Sequence, residues 1–112
     1  MLFEANINKI IYSTLYVTKK FLFNKEIYKM NKIDFEIEKE KLGKHVLKLR
    51  KKIKSTEYNN RSISQQELSD RSEYLSKKTI GEIERGETNP SFETLLALSK
   101  VLNVSLRDLF NY

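Results

Sequence analysis

Apolar residues recur at helical spacing through the middle of this chain, and polar residues fill the positions between them. One such set follows a rhythm of four, three and four residues and consists of Leu42, Val46, Leu49 and Ile53. Because an α-helix has 3.6 residues per turn, this rhythm places the set on one face. The pattern predicts an amphipathic helix that begins between Asp34 and Lys41.

Two short helices joined by a tight turn are predicted next. Ser64 is followed three residues later by Glu67, which is the spacing of a capping box, so a helix should begin at Ser64. Ser76 can cap a second helix over residues 77–85. Gly86 stands where a residue in the left-handed conformation would end that helix.

The second of these helices has two different faces. Helical spacing directs Thr79, Ile80 and Ile83 inward. The opposite face is polar, basic at its N-terminal end and sterically open at its one glycine, and it consists of Lys77, Lys78, Gly81, Glu82 and Arg85. This face suits a helix that enters a DNA groove. A helical hairpin with a solvated lysine face is the plainer alternative.

Two further helices are predicted in the last part of the chain, with Ser91 and Ser105 as their caps. Asn103 takes the position between them that glycine commonly fills. The inward stripe of the first helix consists of Phe92, Leu95, Leu96, Ser99 and Leu102. The apolar residues expected to pack from the second helix are Leu106, Leu109 and Phe110.

The N-terminal segment has a different character and an ambiguous pattern. Ile7, Ile11 and Leu15 have helical spacing, yet the surrounding residues favour β-structure. Three alternatives stay open: an ordered helix or hairpin, a flexible arm, or sequence upstream of a start at Met30 that would give an 83-residue product. Lysines interrupt the segment before it is long enough to span a membrane. The expected domains are therefore an N-terminal extension over 1–33 and a helical domain over 34–112.

Three short motifs carry a resemblance to a known family: Ser64-Gln65-x-Glu67-Leu68, Ser76-x-x-Thr79-Ile80-x-x-Ile83-Glu84-Arg85-Gly86 and Asn89-Pro90-Ser91-x-x-Thr94-Leu95. With these motifs the chain resembles the Cro and lambda-repressor-like helix-turn-helix family, of XRE type. Members are bacterial and phage regulators that bind palindromic operators as dimers. The resemblance implies an all-α, five-helix lambda-repressor-like DNA-binding domain, here with an N-terminal extension of uncertain structure.

The resemblance also implies roles for individual residues. The positions that would read DNA bases are Lys77, Lys78, Gly81 and Glu82. The positions that would bind DNA phosphates are Gln65, Ser76, Arg85, Thr88 and Asn89. Arg50 and Glu84 match a pair that forms a structural salt bridge in relatives, so we expect them to stabilise the fold.

The chain departs from the family pattern in two places. The turn between the two short helices is one residue longer and lacks the usual glycine, so Leu75 is expected to fill the apolar turn position and Tyr74 to be exposed. The loop over 54–62 is longer than in relatives. That loop is either without function or contacts the DNA backbone through Lys54 and Arg61.

Charge and composition narrow the function classes. The formal net charge is +6, and residues 41–112 hold 14 of the 21 basic residues but only 9 of the 15 acidic ones. This excess attracts polyanions such as DNA. Without cysteine there is no disulfide framework and no thiolate zinc site, and the single His45 is expected to face solvent. No catalytic constellation or phosphate-binding glycine loop is visible, so neither an enzyme nor a cofactor or metal is expected.

The predicted function is a sequence-specific transcriptional regulator, most simply a repressor that binds double-stranded DNA as a homodimer through residues 77–85. We expect it to be cytoplasmic, associated with the nucleoid, and not a membrane protein. The alternative is a protein-interaction module, such as an antitoxin-like protein that binds a partner through residues 1–33 and DNA only secondarily. Nonspecific coating of DNA is a third possibility.

Overall fold

The computed structural model describes the backbone of residues 2–112 and the side chains of residues 7–112. The chain divides into two units, of which the first ends at Ile33 and the second spans Asp34–Tyr112. Every named element in the described part is an α-helix. The all-α class predicted from the sequence is therefore confirmed for these residues.

The first unit consists mainly of one long helix, α1 (Leu2–Met30). A helix was one of the structures that the sequence left open there. The hydroxyls of Thr14 and Thr18 each donate to the carbonyl four residues earlier, at 2.9 Å, so these β-favouring residues are accommodated within the helix. Apolar side chains are exposed on all its sides, and their exposed fractions run from 38% at Ile7 to 81% at Met30. None of the helices in the described residues combines the length and apolarity needed to cross a membrane.

The second unit contains five helices, as predicted. They are α2 (Phe35–Lys51), α3 (Gln65–Asp70), α4 (Lys77–Glu84), α5 (Phe92–Val101) and α6 (Leu106–Leu109). Each begins after a residue whose side-chain oxygen accepts a backbone N–H of the first turn, and these caps are Asp34, Ser64, Ser76, Ser91 and Ser105. The predicted end signals also hold, because Gly86 has φ 69° and Asn103 has φ 56°.

The core of the second unit lies where the five helices meet. Its buried apolar residues are Leu42, Val46, Ile63, Leu68, Leu75, Ile80, Ile83, Leu98, Leu102 and Leu109. Leu49, Ile53, Leu95 and Leu106 are partly buried against them. The predicted inward faces of α2 and α4 are therefore correct, and Leu75 fills the apolar turn position as expected.

The predicted apolar stripes of the last two helices were partly wrong. Phe92, Leu96 and Phe110 are exposed, whereas Leu98 is fully buried. The buried side of α5 follows Leu95, Leu98 and Leu102, at spacings of three and four residues. Phe92 lies at the first residue of α5, and Leu96 is rotated by about 100° from Leu95. Periodicity alone was compatible with two neighbouring apolar stripes on this leucine-rich helix.

The segment between α2 and α3 is a short hairpin rather than an irregular loop. Lys54 and Ser62 form an antiparallel bridge, and the backbone N–H of Ser55 donates to the carbonyl of Arg61 at 2.9 Å. Asn60 makes the turn with φ 63°, a conformation that asparagine tolerates better than most residues. We refer to residues 54–62 as the α2–α3 hairpin.

Candidate nucleic-acid interface

The position of α4 is set first by a close approach to α2. Gly43 of α2 is buried, and a Cβ atom built on it would meet the backbone carbonyl oxygens of Ile83 and Glu84. Only glycine lets the two helices come this near, because any side chain would enter space held by the backbone. The C-terminal end of α4 is therefore fixed against the middle of α2.

An ion pair joins the same two helices at a second point. Arg50 donates from Nε to Glu84 Oε1 at 2.6 Å and from Nη2 to Glu84 Oε2 at 3.1 Å. The side chains are only 12% and 5% exposed, respectively. Arg50 Nη1 also donates to the carbonyl of Ile63 at 2.7 Å, so the same arginine also binds the segment before α3. This bidentate, charge-assisted arrangement has the geometry of strong protein ion pairs.

Gln65, expected from the family pattern to bind phosphate, takes part in the same network. Its Nε2 donates to Glu84 Oε2 at 2.7 Å, and it is the first residue of α3. Glu84 thus accepts hydrogen bonds from α2 and from α3. The two helices of the helix-turn-helix are held in one relative orientation by a single buried carboxylate.

Gly81 is not the open position that the sequence indicated. It is buried, and a Cβ atom there would lie 2.8 Å from Arg85 Nη1 and 3.3 Å from Gln65 Oε1. The side chains of Arg85 and Gln65 cover it from the two sides. The absence of a side chain at Gly81 therefore makes room for these two polar groups on the outer surface of α4.

The remaining predicted base-reading residues lie on the exposed side of α4. Lys77 is exposed in its first turn, and the side chain of Lys78 is 85% exposed. Lys78 Nζ lies 3.9 Å from Glu82 Oε1, one helical turn further along. This is a long, solvent-exposed pair, in the less favourable order for a helix, so it constrains Lys78 only weakly. The ammonium groups remain accessible to a partner.

The other predicted phosphate-binding residues lie at the two ends of α4 and beyond it. Ser76 caps the helix, with its Oγ accepting the N–H of Thr79 at 3.1 Å. Arg85 is exposed, and its Nε donates to Glu87 Oε1 at 2.9 Å. The hydrogen bond to Glu87 raises the pKa of Arg85 above its ordinary value, so the guanidinium stays charged. Thr88 is half-buried and Asn89 is exposed, in the segment that leads to α5.

Glu67 does more than complete the predicted capping box with Ser64. It is buried, and it accepts a hydrogen bond from the hydroxyl of Ser55, which lies 2.8 Å from both carboxylate oxygens. Burial by itself raises the pKa of Glu67, but the hydrogen bonds from Ser55, Ser64 and Thr56 outweigh it, so the pKa lies below its ordinary value. Glu67 therefore holds the α2–α3 hairpin against α3 as a carboxylate.

The sequence reasoning missed three contacts around this site. Nothing in the local pattern marked Gly43 as a crossing point or Ser55 as a partner of Glu67. His45 was expected to face solvent, but it is half-buried, and its Nε2 lies 2.8 Å from the carbonyl oxygen of Asp108, 63 residues away. The presence of a glycine inside an otherwise good helix sequence was the one available signal, since glycine weakens a helix interior.

The comparison with known families agrees with this geometry. Residues 57–109 match the sequence model of a family described as helix-turn-helix. This region contains α3, the turn, α4, α5 and all of α6, and the match is consistent with a Cro and lambda-repressor-like domain of XRE type. The match to this family supports the assignment of the chain as a DNA-binding regulator of XRE type. Searches of curated proteins and of solved structures found no match to the chain.

Proposed function

We propose that this chain is a sequence-specific transcriptional repressor that binds a palindromic operator as a homodimer and inserts α4 into the major groove. The observation that carries the proposal is the presentation of α4. Gly43 and the Arg50–Glu84 pair fix the helix on its inner side, while Lys77 and Lys78 are exposed on its outer side. A rigid helix with free donors at its start suits direct readout of base edges.

The proposed base readers are Lys77, Lys78 and Glu82. Lysine donates to guanine O6 and N7, and glutamate either accepts from cytosine N4 or orients the neighbouring lysine. The 3.9 Å separation of Lys78 and Glu82 is consistent with the second role. We therefore expect G·C pairs in each half-site. The proposed role of Gly81 is to admit Arg85 and Gln65 to the same surface.

The proposed phosphate contacts frame these readers. Gln65 lies at the start of α3, Ser76 at the start of α4, and Arg85 at its end, with Thr88 and Asn89 following. One amide hydrogen of Gln65 is used by Glu84, so its remaining amide hydrogen is the one available to a phosphate oxygen. Contacts of this kind fix the register of a protein on the duplex without reading its sequence.

Fluorescence anisotropy with labelled genomic fragments across a salt series tests the proposal. A sequence-specific regulator should show a steep decrease of log K with log salt and a small subset of tightly bound fragments. Sedimentation of the tightest complex should give two chains per duplex. A steep slope without a tight subset would indicate nonspecific coating instead, and no salt-dependent binding would overturn the proposal.

A protein-interaction module is the second candidate, and α1 is the observation that favours it. Its exposed apolar residues occupy all sides of the helix, and such a distribution is typical of a helix that is covered by other protein surface. In this alternative an antitoxin-like chain binds a partner through residues 1–33. Absence of salt-dependent DNA binding, together with a stable complex formed through residues 1–33, would favour it over the regulator. For either function we expect a cytoplasmic protein, and for the regulator one associated with the nucleoid.

A further inference from the structure

The α2–α3 hairpin is an ordered element with its own internal bonding. Besides the Lys54–Ser62 bridge, the hydroxyl of Ser62 donates to the carbonyl of Lys51 at 2.7 Å. The hydroxyl of Ser55 accepts the backbone N–H groups of Glu57 and Tyr58 at 3.1 and 3.0 Å while it donates to the carboxylate of Glu67. The hairpin is thus closed at its base and fastened to α3, so its side chains are displayed from a fixed backbone.

The surface of this hairpin and of the adjoining end of α2 is strongly basic. Its exposed cations are Lys51, Lys52, Lys54 and Arg61, and its single acidic residue is Glu57. No ion pair involves any of these four cations in the described part of the chain. The guanidinium of Arg61 lies over the ring of Tyr58, 5.3 Å from its centre, which supports its position without neutralising its charge. Unpaired cations of this density suit a polyanion.

The hairpin is also placed beside the proposed DNA-binding surface. Ile63, directly after the hairpin, is fully buried, and its carbonyl accepts the hydrogen bond from Arg50 that belongs to the Arg50–Glu84 network. Arg61 precedes Gln65 by four residues, so their Cα atoms are at most about 14 Å apart. A duplex held by the start of α3 therefore has its next phosphates within reach of the hairpin.

We infer that the α2–α3 hairpin is a second DNA-backbone contact of this protein, in which Lys54 and Arg61 bind phosphates next to those held by the start of α3. The inference rests on the proposed function, since it concerns the same duplex. The contact adds affinity and fixes register, but it reads no bases, because lysine and arginine side chains that meet phosphates carry no sequence information. The long segment between α2 and α3 then has a function in binding.

The test compares the double variant Lys54→Ala/Arg61→Ala with the matched control Lys100→Ala/Arg107→Ala in the full chain. Both variants remove one exposed lysine and one exposed arginine, but the control changes α5 and α6. Anisotropy is measured across a salt series with a duplex selected from a random pool by the unmodified chain. Two lost phosphate contacts should lower the log–log slope by about 1.8 and the affinity at 0.15 M salt by about thirtyfold. The control should retain the slope of the unmodified chain.

Phosphate-ethylation interference on the same duplex provides a readout that depends on position. With the unmodified chain, ethylation should interfere at phosphates flanking each half-site, and this outer interference should vanish in Lys54→Ala/Arg61→Ala while the inner pattern remains. Circular dichroism and thermal melting verify that both variants are folded. An unchanged slope and an unchanged outer pattern would overturn the hairpin contact and leave the proposed function standing. If the unmodified chain selects no duplex, the proposed function itself fails, and the hairpin contact fails with it.

Discussion

Arg50 and Glu84 form a bidentate ion pair whose side chains are only 12% and 5% exposed. They are 34 residues apart and join α2 to the last residue of α4. Gln65 donates to the same carboxylate from α3. One acidic side chain therefore holds the three helices that determine how the proposed recognition helix is presented.

Glu84→Ala should destabilise the domain severely. The change leaves the guanidinium of Arg50 buried without its counter-charge and the amide of Gln65 without its acceptor, which should lower the free energy of unfolding by about 3 to 5 kcal/mol. Thermal melting followed by circular dichroism measures the effect. Glu87→Ala is the matched control, since it removes a carboxylate from an exposed pair with Arg85 and should leave the melting temperature nearly unchanged. Equal melting temperatures of the two variants would contradict the structural role of Glu84.

Two buried helix glycines should respond differently to alanine. Gly43→Ala places a methyl group against backbone carbonyl oxygens of α4, which cannot move aside, and should cost about 1 to 3 kcal/mol. Gly81→Ala meets mainly the flexible end of Arg85, so the gain in helix propensity, about 1 kcal/mol, should offset the displacement. Urea denaturation of both variants measures the difference. Equal losses in both would show that backbone contact does not distinguish the two sites.

The parts of this fold that were predictable are those decided within a few residues. Ser64, Ser76, Ser91 and Ser105 mark helix starts because each cap bonds to the backbone three residues ahead. Gly86 marks an end for the same local reason, since its φ of 69° suits glycine. Element boundaries in the helix-turn-helix therefore follow from short-range chemistry.

The contacts that were missed depend on residues distant in sequence or on the choice between equivalent faces. Gly43 meets Ile83 only because α2 crosses α4, and no local pattern encodes that crossing. On α5, Leu96 and Leu98 are equally apolar, and packing alone decides that Leu98 is buried. The pairing of Arg50 with Glu84 was predicted from the family pattern. The hydrogen bond from Gln65 to Glu84 became apparent only from the structure.

Ser55→Ala should weaken the attachment of the hairpin in a pH-dependent way. The pKa of Glu67 in the folded protein lies below its ordinary value of 4.5, so its stabilising contribution is fully present above that pH and is lost as the pH falls through the folded-state pKa. Removing the hydroxyl of Ser55 removes the main cause of this lowering. The variant should melt several degrees lower than the unmodified chain near neutral pH, and the difference should shrink below pH 4.5.

Ser62→Ala is the matched control for that experiment. Its hydroxyl belongs to the same hairpin but donates to the neutral carbonyl of Lys51, so the effect of its removal should not vary with pH. Thermal melts of the three proteins from about pH 7 to about pH 3 supply the comparison. A stability difference for Ser55→Ala that stayed constant over this range would show that the charge of Glu67 is not what holds the hairpin.

Lys78→Ala should distinguish base reading from general attraction to DNA. The side chain is 85% exposed and makes only the 3.9 Å contact with Glu82, so its removal should leave the fold intact. If Lys78 donates to a guanine, the variant should lose about 1 to 3 kcal/mol of binding free energy on the selected operator and little on random duplex. Lys100→Ala on α5 removes the same charge as a control and should change neither value appreciably. Anisotropy on both duplexes at one salt concentration gives the comparison. Parallel losses on operator and random DNA would assign Lys78 to the phosphate backbone, because a phosphate contact weakens all sequences alike.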